Sequence, residues 1–223
     1  MFFLDMHVHS ADVSDDAGAT VEGYLKWIVA RRKRGYQIDG FVVTEHRGFK
    51  PEIDYTDLAN QYDVVVLRGA EIETDLGHVL VYNITPQLFR EFDFTNVTLP
   101  ATEIFRRVRE LGGAAVAAHG GRPNIGLWEY ARQGRDLSGI TAVETLNGGS
   151  NGQENSRAEE VALELGLHRT GGSDAHYVSG IGRCLTAFDN PIRSAEHLVE
   201  AIYLGQYRPV SGDDTLSTTP TIP

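Results

Sequence analysis

His7 and His9 are separated by one residue near the start of the chain. On an extended strand, side chains at i and i+2 point the same way, so two imidazoles there stand side by side and can chelate one metal ion. Asp174 and His176 repeat the spacing late in the chain, and Glu71 and Glu73 share a face by the same rule. Glu45 and His46 are adjacent and diverge on an extended strand, which leaves His46 as the ligand candidate of the two. His119 and Asp15, the latter in a Ser-Asp-Asp loop after His9, complete the set. Imidazoles and carboxylates suit zinc, manganese or iron rather than calcium. Clustered divalent ions lower the pKa of a bound water towards about 7 and clamp the attacking and leaving oxygens of a displacement. A lone histidine at a strand end is an ordinary polar residue. A whole series at successive strand ends is a metal site.

The elements that must position these groups are short β-like runs alternating with helical ones. Phe2 to Met6, Gly40 to Thr44, Val64 to Leu67, Val79 to Val81, Ala114 to Ala118, Thr141 to Leu146 and Arg169 to Gly171 read as strands. Thr20 to Lys33, Thr102 to Leu111, Asn155 to Leu165 and Ser194 to Leu204 read as helices. Alternation of this kind implies parallel βα units. In a βα barrel the strand C-termini lie on one face, where the active site is built. The candidate ligands follow or end these strands and so converge. His168 and His197 lie in or beside helical stretches without partners and stay outside the set. His78, in Gly-His-Val-Leu-Val, lies near a strand start and is placed at the edge of the site.

With 223 residues, 41% hydrophobic and 23% charged, the chain is expected to form one barrel domain over 1–212, with a flexible Thr/Pro-rich tail over 213–223. The single cysteine, Cys184, excludes an internal disulfide and is too few for a thiolate zinc site. No run approaches the roughly 20 apolar residues of a membrane-spanning helix. The start carries no basic, cleavable leader pattern, so a cytoplasmic protein without membrane attachment is expected. A net charge of −11 argues against a generic nucleic-acid binder. The basic run Arg31-Arg32-Lys33-Arg34 is expected to end a helix, where cations suit the negative dipole end.

Taken together, these motifs resemble the PHP (polymerase and histidinol phosphatase) family, in its small stand-alone metal-dependent phosphoesterase form. Asp5-Met6-His7-Val8-His9-Ser10 resembles its first motif, and Ser14-Asp15-Asp16 the acid that follows. Thr44-Glu45-His46 resembles its Thr-Asp-His motif, with Glu45 in place of Asp. Gly69-Ala70-Glu71-Ile72, Ala118-His119-Gly120 and Gly172-Ser173-Asp174-Ala175-His176 resemble the later motifs, with Gly120 where proline is usual. The resemblance spans roughly residues 1 to 190. It implies an α/β fold, a distorted seven-stranded (β/α)7 TIM-like barrel with two or three divalent metals (Zn, Mn or Fe). On that pattern His7, His9, Glu71 and Asp174 hold one metal. Glu71 and His119 share a second, with His78 near it. Asp15, His46 and His176 hold a third. Glu71, Asp174 and His176 then take the catalytic roles.

The expected activity is hydrolysis of a small phosphate ester. Arg122 and Arg183 lie near the ligands and offer bidentate forks for a phosphoryl group, with His78 a further substrate contact. No stable nucleic-acid complex and no membrane partner are expected; the oligomeric state is left open. Amide or lactone hydrolysis on an amidohydrolase-like barrel fits the His-x-His start equally, but would favour a carbamylated lysine bridge, and no lysine sits at a suitable strand end. A non-catalytic metal-binding module is the third reading and predicts lost ligands.

Overall fold

In the computed structural model, which describes residues 1–216, strands and helices alternate much as the hydrophobic pattern predicts. β1 (Phe2–Val8), α1 (Val21–Arg32), β2 (Gly40–His46), α2 (Thr56–Tyr62), β3 (Val65–Thr74) and β4 (Gly77–Tyr82) form the first half. α3 (Pro86–Glu91), α4 (Ala101–Glu110), β5 (Ala114–Ala117), α5 (Leu127–Arg132), β6 (Ala142–Asn147), α6 (Gly152–Leu165) and β7 (His168–Gly172) follow. β8 (Cys184–Phe188), α7 (Ala195–Leu204), β9 (Tyr207–Ser211) and a 3-10 turn (Gly212–Thr215) close the described chain.

Local chemistry fixes the helix ends. The Thr20 hydroxyl accepts from Gly23 N at the start of α1. Arg31 and Arg32 fall in its last turn, as the basic run predicts. Asn151 and Glu154 form a capping box on α6, which ends at Gly166 in the left-handed region.

The strands form one nearly closed sheet in the order β7-β6-β5-β4-β3-β2-β1-β8-β9. Its open edge returns on itself where Val8 bridges Ala175 in parallel and His9 N donates to Ala175 O. The α/β barrel class holds, but the described residues give nine strands rather than seven, and the sheet is mixed. β1–β2, β2–β3, β5–β6 and β6–β7 are parallel. β3–β4, β4–β5, β1–β8 and β8–β9 are antiparallel. The cause at β3–β4 is the short link at Asp75 and Leu76, which can join only antiparallel neighbours. Gly77 turns this hairpin at φ +91, and a Cβ there would lie 2.1 Å from Ile125 O. β9 escaped the sequence reading because Pro209 interrupts it; proline is tolerated there because β9 is the sheet edge.

Leu4, Met6, Val42, Leu80, Tyr82, Val116 and Ala118 belong to one buried cluster of the sheet interior, to which Leu198 and Ile202 of α7 also belong. Other clusters form between the sheet and helices such as α1 and α4. Residues expected in a loose tail are partly packed. Thr215 is buried, its hydroxyl accepts from Gln37 N, and Gly212 N donates to Arg183 O. Residues 213–215 therefore belong to the fold, and 217–223 lie outside the described residues. No helix among the described residues is long and apolar enough to cross a membrane.

Candidate metal centre

Glu71 is the hub. It lies within β3, opposite His46 of β2 on one side and Leu80 of β4 on the other. Its Oε2 faces His7 Nε2 at 3.2 Å, His9 Nε2 at 3.3 Å and His46 Nδ1 at 3.2 Å. Its Oε1 faces His119 Nε2 and His78 Nδ1, each at 2.9 Å. The β3–β4 hairpin brings His78 to this oxygen, so His78 belongs to the cluster rather than to its edge. Asp174 Oδ1 lies 3.5 Å from His7 Nε2 and 3.3 Å from His9 Nε2.

Three ligand groups result: His7, His9 and Glu71; Glu71, His78 and His119; and His9, His46 and His176. Within each, the donor atoms lie within 4.8 Å of one another. The donor set fits metal ions. His7 Nε2 and His9 Nε2 point at each other across 3.0 Å, and two neutral imidazole nitrogens so placed need a proton or a cation between them. Both rings are fully buried.

The electrostatics of the protein groups agree. Burial works against the charged form of Glu71, yet His7, His119 and His78 hold its carboxyl well below the usual range. Burial likewise opposes the Asp174 carboxylate, and His7, His9 and Arg122 outweigh it. Burial disfavours the His7 imidazolium, but Glu144, Asp174 and Glu71 raise its pKa well above the ordinary value. His46 is pushed down to about 4, by burial first and then by His9. His119 is also lowered, chiefly by burial. Carboxylates stay ionised here, and imidazoles compete for the positive charge that a metal would supply.

The backbone is unusual at two of these residues. His119 has φ +30 and Asp174 φ +54. Non-glycine residues in this region cost energy and cluster at functional sites. After His119, Gly121 brings the loop against α6, where an added Cβ would lie 1.9 Å from Glu154 O.

Two sequence expectations change. The carboxylate beside His46 and His176 is that of Asp16, at 3.3 and 3.5 Å, rather than that of Asp15; both acids are exposed. Ser14, which precedes the two acids, donates its hydroxyl to Glu45. Arg122 lies in the site, but its guanidinium is already held. Nη2 donates to Asp174 Oδ2 at 2.6 Å and to Asn147 Oδ1 at 2.8 Å, and Nε donates to Ser150 Oγ. Arg183 is exposed and lines an open cleft of about 420 Å³ with Gly148, Asp174, His176 and Tyr177. Glu73 is turned to Arg47 at the rim. His168 and His197 stand apart from the centre, His168 beside Tyr207 and His197 on α7.

Sequence reasoning missed Glu144 and Asn147 in β6 and gave Asp5 no role. Glu144 is fully buried and faces His7 Nδ1 at 3.2 Å. Asp5, also fully buried, accepts from Ser173 N and Gly182 N. The available signal was an acid inside a β-like run, Asp5 between Leu4 and Met6 and Glu144 between Val143 and Thr145, which only a partner can stabilise once buried.

The fold and site define an α/β barrel with histidine–carboxylate clusters able to hold metal ions. The PHP-associated family matches residues 152–207, which include Asp174 and His176. No curated protein matches the chain. A two-domain protein from Bacteroides vulgatus containing a predicted PHP-like metal-dependent phosphoesterase is similar over 94% of this chain, at 18% identity and TM-score 0.63. The chain spans 64% of that protein. The lesion-specific endonuclease PfuEndoQ of Pyrococcus furiosus is similar over 93% of this chain and 57% of its own, at 17% identity and TM-score 0.64. An amidohydrolase from Chromobacterium violaceum, with sulfate bound and no metal, is similar over 94% of this chain and 98% of its own, at 18% identity and TM-score 0.56. The family match covers residues 152–207, and the solved structures share the fold with the whole chain.

Proposed function

We propose that the protein is a metal-dependent phosphoesterase acting on a small phosphorylated molecule. The observation that carries this reading is Glu71, whose two oxygens face two different sets of imidazoles. A carboxylate so placed suits a bridge between two ions. His7, His9, Glu71 and Asp174 would hold one ion, and Glu71, His78 and His119 a second. His46 and His176, with Asp16 beside them, would hold a third. Divalent zinc, manganese or iron fits these ligands and would supply Lewis-acid charge and a water of lowered pKa.

The chain's own groups bind and orient the substrate. Arg183 reaches over the cleft beside Asp174 and His176, where its fork can take two phosphoryl oxygens. Arg122 reinforces that end of the site through Asp174 and keeps Nη1 for a substrate oxygen. Tyr177, 64% exposed in the same cleft, offers an apolar face to the leaving group. The net charge of −11 disfavours long nucleic acids.

The test is a screen of the metal-loaded protein on aryl phosphate mono- and diesters, amides, lactones and oligonucleotides. Turnover of a small phosphate ester is expected. Turnover of amides or lactones alone would replace this reading with an amidohydrolase one. Arg183→Ala is expected to lower kcat/KM on the phosphate ester about 10- to 150-fold at unchanged metal content, the equivalent of losing about 1.5–3 kcal/mol of hydrogen bonding to a charged group.

A further inference from the structure

Glu144 does more than neutralise a buried neighbour. Both its oxygens lie near His7 Nδ1, at 3.3 and 3.2 Å. Its Oε2 also accepts from His119 N at 2.8 Å and from Asn147 Nδ2 at 2.8 Å. One carboxylate thus fixes the ring of His7 and the backbone of His119, the residue held at φ +30.

Asn147 carries the connection onward. Its Nδ2 donates to Glu144, while its Oδ1 accepts from Arg122 Nη2 and from Gly149 N. These neighbours fix the amide orientation, since Glu144 can only accept and Arg122 can only donate. Arg122 in turn donates to Asp174 Oδ2. A chain of hydrogen bonds therefore runs His7–Glu144–Asn147–Arg122–Asp174, with a branch to His119. Glu144 and Asn147 are 0% and 1% exposed. The Asn147 amide presents a donor to one side and an acceptor to the other.

We propose that Glu144, Asn147 and Arg122 form one positioning ring that holds His7, His119 and Asp174 in metal-binding geometry. Glu144 keeps the Nδ1 proton on His7 and so leaves Nε2 for a metal. Arg122 occupies Asp174 Oδ2 and so presents Oδ1 to the cluster. Asn147 makes the two act together. Partners of this kind set the tautomer and orientation of metal ligands, and their loss costs about 10- to 100-fold in metal affinity. The inference rests on the metal reading of the site and is independent of which ester is hydrolysed.

The experiment measures metal affinity by chelator competition with Zn²⁺, and the visible spectrum of the Co²⁺-loaded protein, for wild type and for Glu144→Gln, Asn147→Ala, Arg122→Ala and the Glu144→Gln/Arg122→Ala double variant. Circular dichroism checks folding. Arg122→Ala, at a partly exposed site, keeps the test available should a fully buried variant fail to fold. Each single variant is expected to weaken Zn²⁺ binding about 10- to 100-fold with an altered Co²⁺ spectrum. The double variant is expected to lose less than the product of the two single losses, as members of one network do. Folded variants with wild-type affinity and spectrum would overturn the proposal, as would a double variant whose loss equals that product. A wild type that binds no Zn²⁺ would overturn it together with the metal reading. A wild type that binds Zn²⁺ but hydrolyses no phosphate ester would sink only the proposed function.

Discussion

Two glutamates on neighbouring paired strands show how burial alone fails to mark a functional acid. Glu45 and Glu71 are 4% and 2% exposed. Glu45 sits on β2 and Glu71 on β3, with Glu45 registered against Ala70. Around Glu45 the donors are neutral and complete. Ser10 N, the Ser10 hydroxyl and the Ser14 hydroxyl all donate to it. Around Glu71 the neighbours are imidazole nitrogens from five histidines. The first carboxylate is satisfied by fixed dipoles and ties the loop after β1 to the sheet. The second is surrounded by imidazoles able to bind metal, and added positive charge can serve them all. The nature of the donors, rather than the depth of the acid, separates a structural carboxylate from the one proposed here as a metal bridge.

The comparison breaks most directly at Glu71. Glu71→Gln removes the charge shared by two ligand groups. It is expected to lower hydrolytic activity by on the order of 10³-fold, above the 10- to 100-fold of an outer partner. Elemental analysis of the purified variant should show fewer bound ions per chain than wild type. Full metal content in this variant would mean that Glu71 is not the bridge.

A pH measurement sharpens the contrast. His9, like His7, is raised above its ordinary pKa: burial opposes the charged ring, and hydrogen bonds to Asp174 and Glu71 outweigh it. In the metal-free chain these groups therefore contribute stability that is fully present below the unfolded value near 6.5 and lost as pH rises through their folded values. A metal needs them neutral. Adding Zn²⁺ to metal-free protein at pH 7 in weak buffer is expected to release protons, and metal affinity should rise with pH. Uptake without proton release would show that the histidines around Glu71 are already neutral.

Glu45→Gln tests the other side. Its amide oxygen can keep the bonds from Ser10 N and the Ser14 hydroxyl, but its amide nitrogen then meets the Ser10 hydroxyl, which must turn from donor to acceptor, and the charge is lost. A stability loss of about 1–3 kcal/mol is expected, read as a lower urea midpoint, with metal content retained. Metal loss as severe as that of Glu71→Gln would erase the distinction between the two acids.

The smallest effect is expected at Glu73, two residues from Glu71 on the same strand. It pairs with Arg47 at a partly exposed rim, and such pairs contribute about 0–1 kcal/mol. Glu73→Gln should leave both melting temperature and turnover close to wild type. A large loss of turnover would move the centre of the site towards the rim.

The ligand types, their i and i+2 spacing and their recurrence near strand ends were legible in the residues alone, because side-chain direction along a strand is a local property. So was the role of the basic run at the end of α1, whereas α6 starts at Gly152, ahead of the Asn155 that the pattern suggests. What meets what depended on register and closure, which are not local. By strand parity, His7 and His9 should face away from Leu4 and Met6. The pairing of β1 with β2 shifts register between Asp5 and Val8, and both sets serve the interior. The β3–β4 hairpin delivers His78 to Glu71, and the course of the loop after β1 sets Asp16 rather than Asp15 beside His46. Glu144 looked like one acid within a β-like run, and Arg122 like a free cation after a histidine. Only the closing of the sheet brought β6 and β7 up to β1, so that Glu144 met His7, Arg122 met Asp174, and Asn147 could join them.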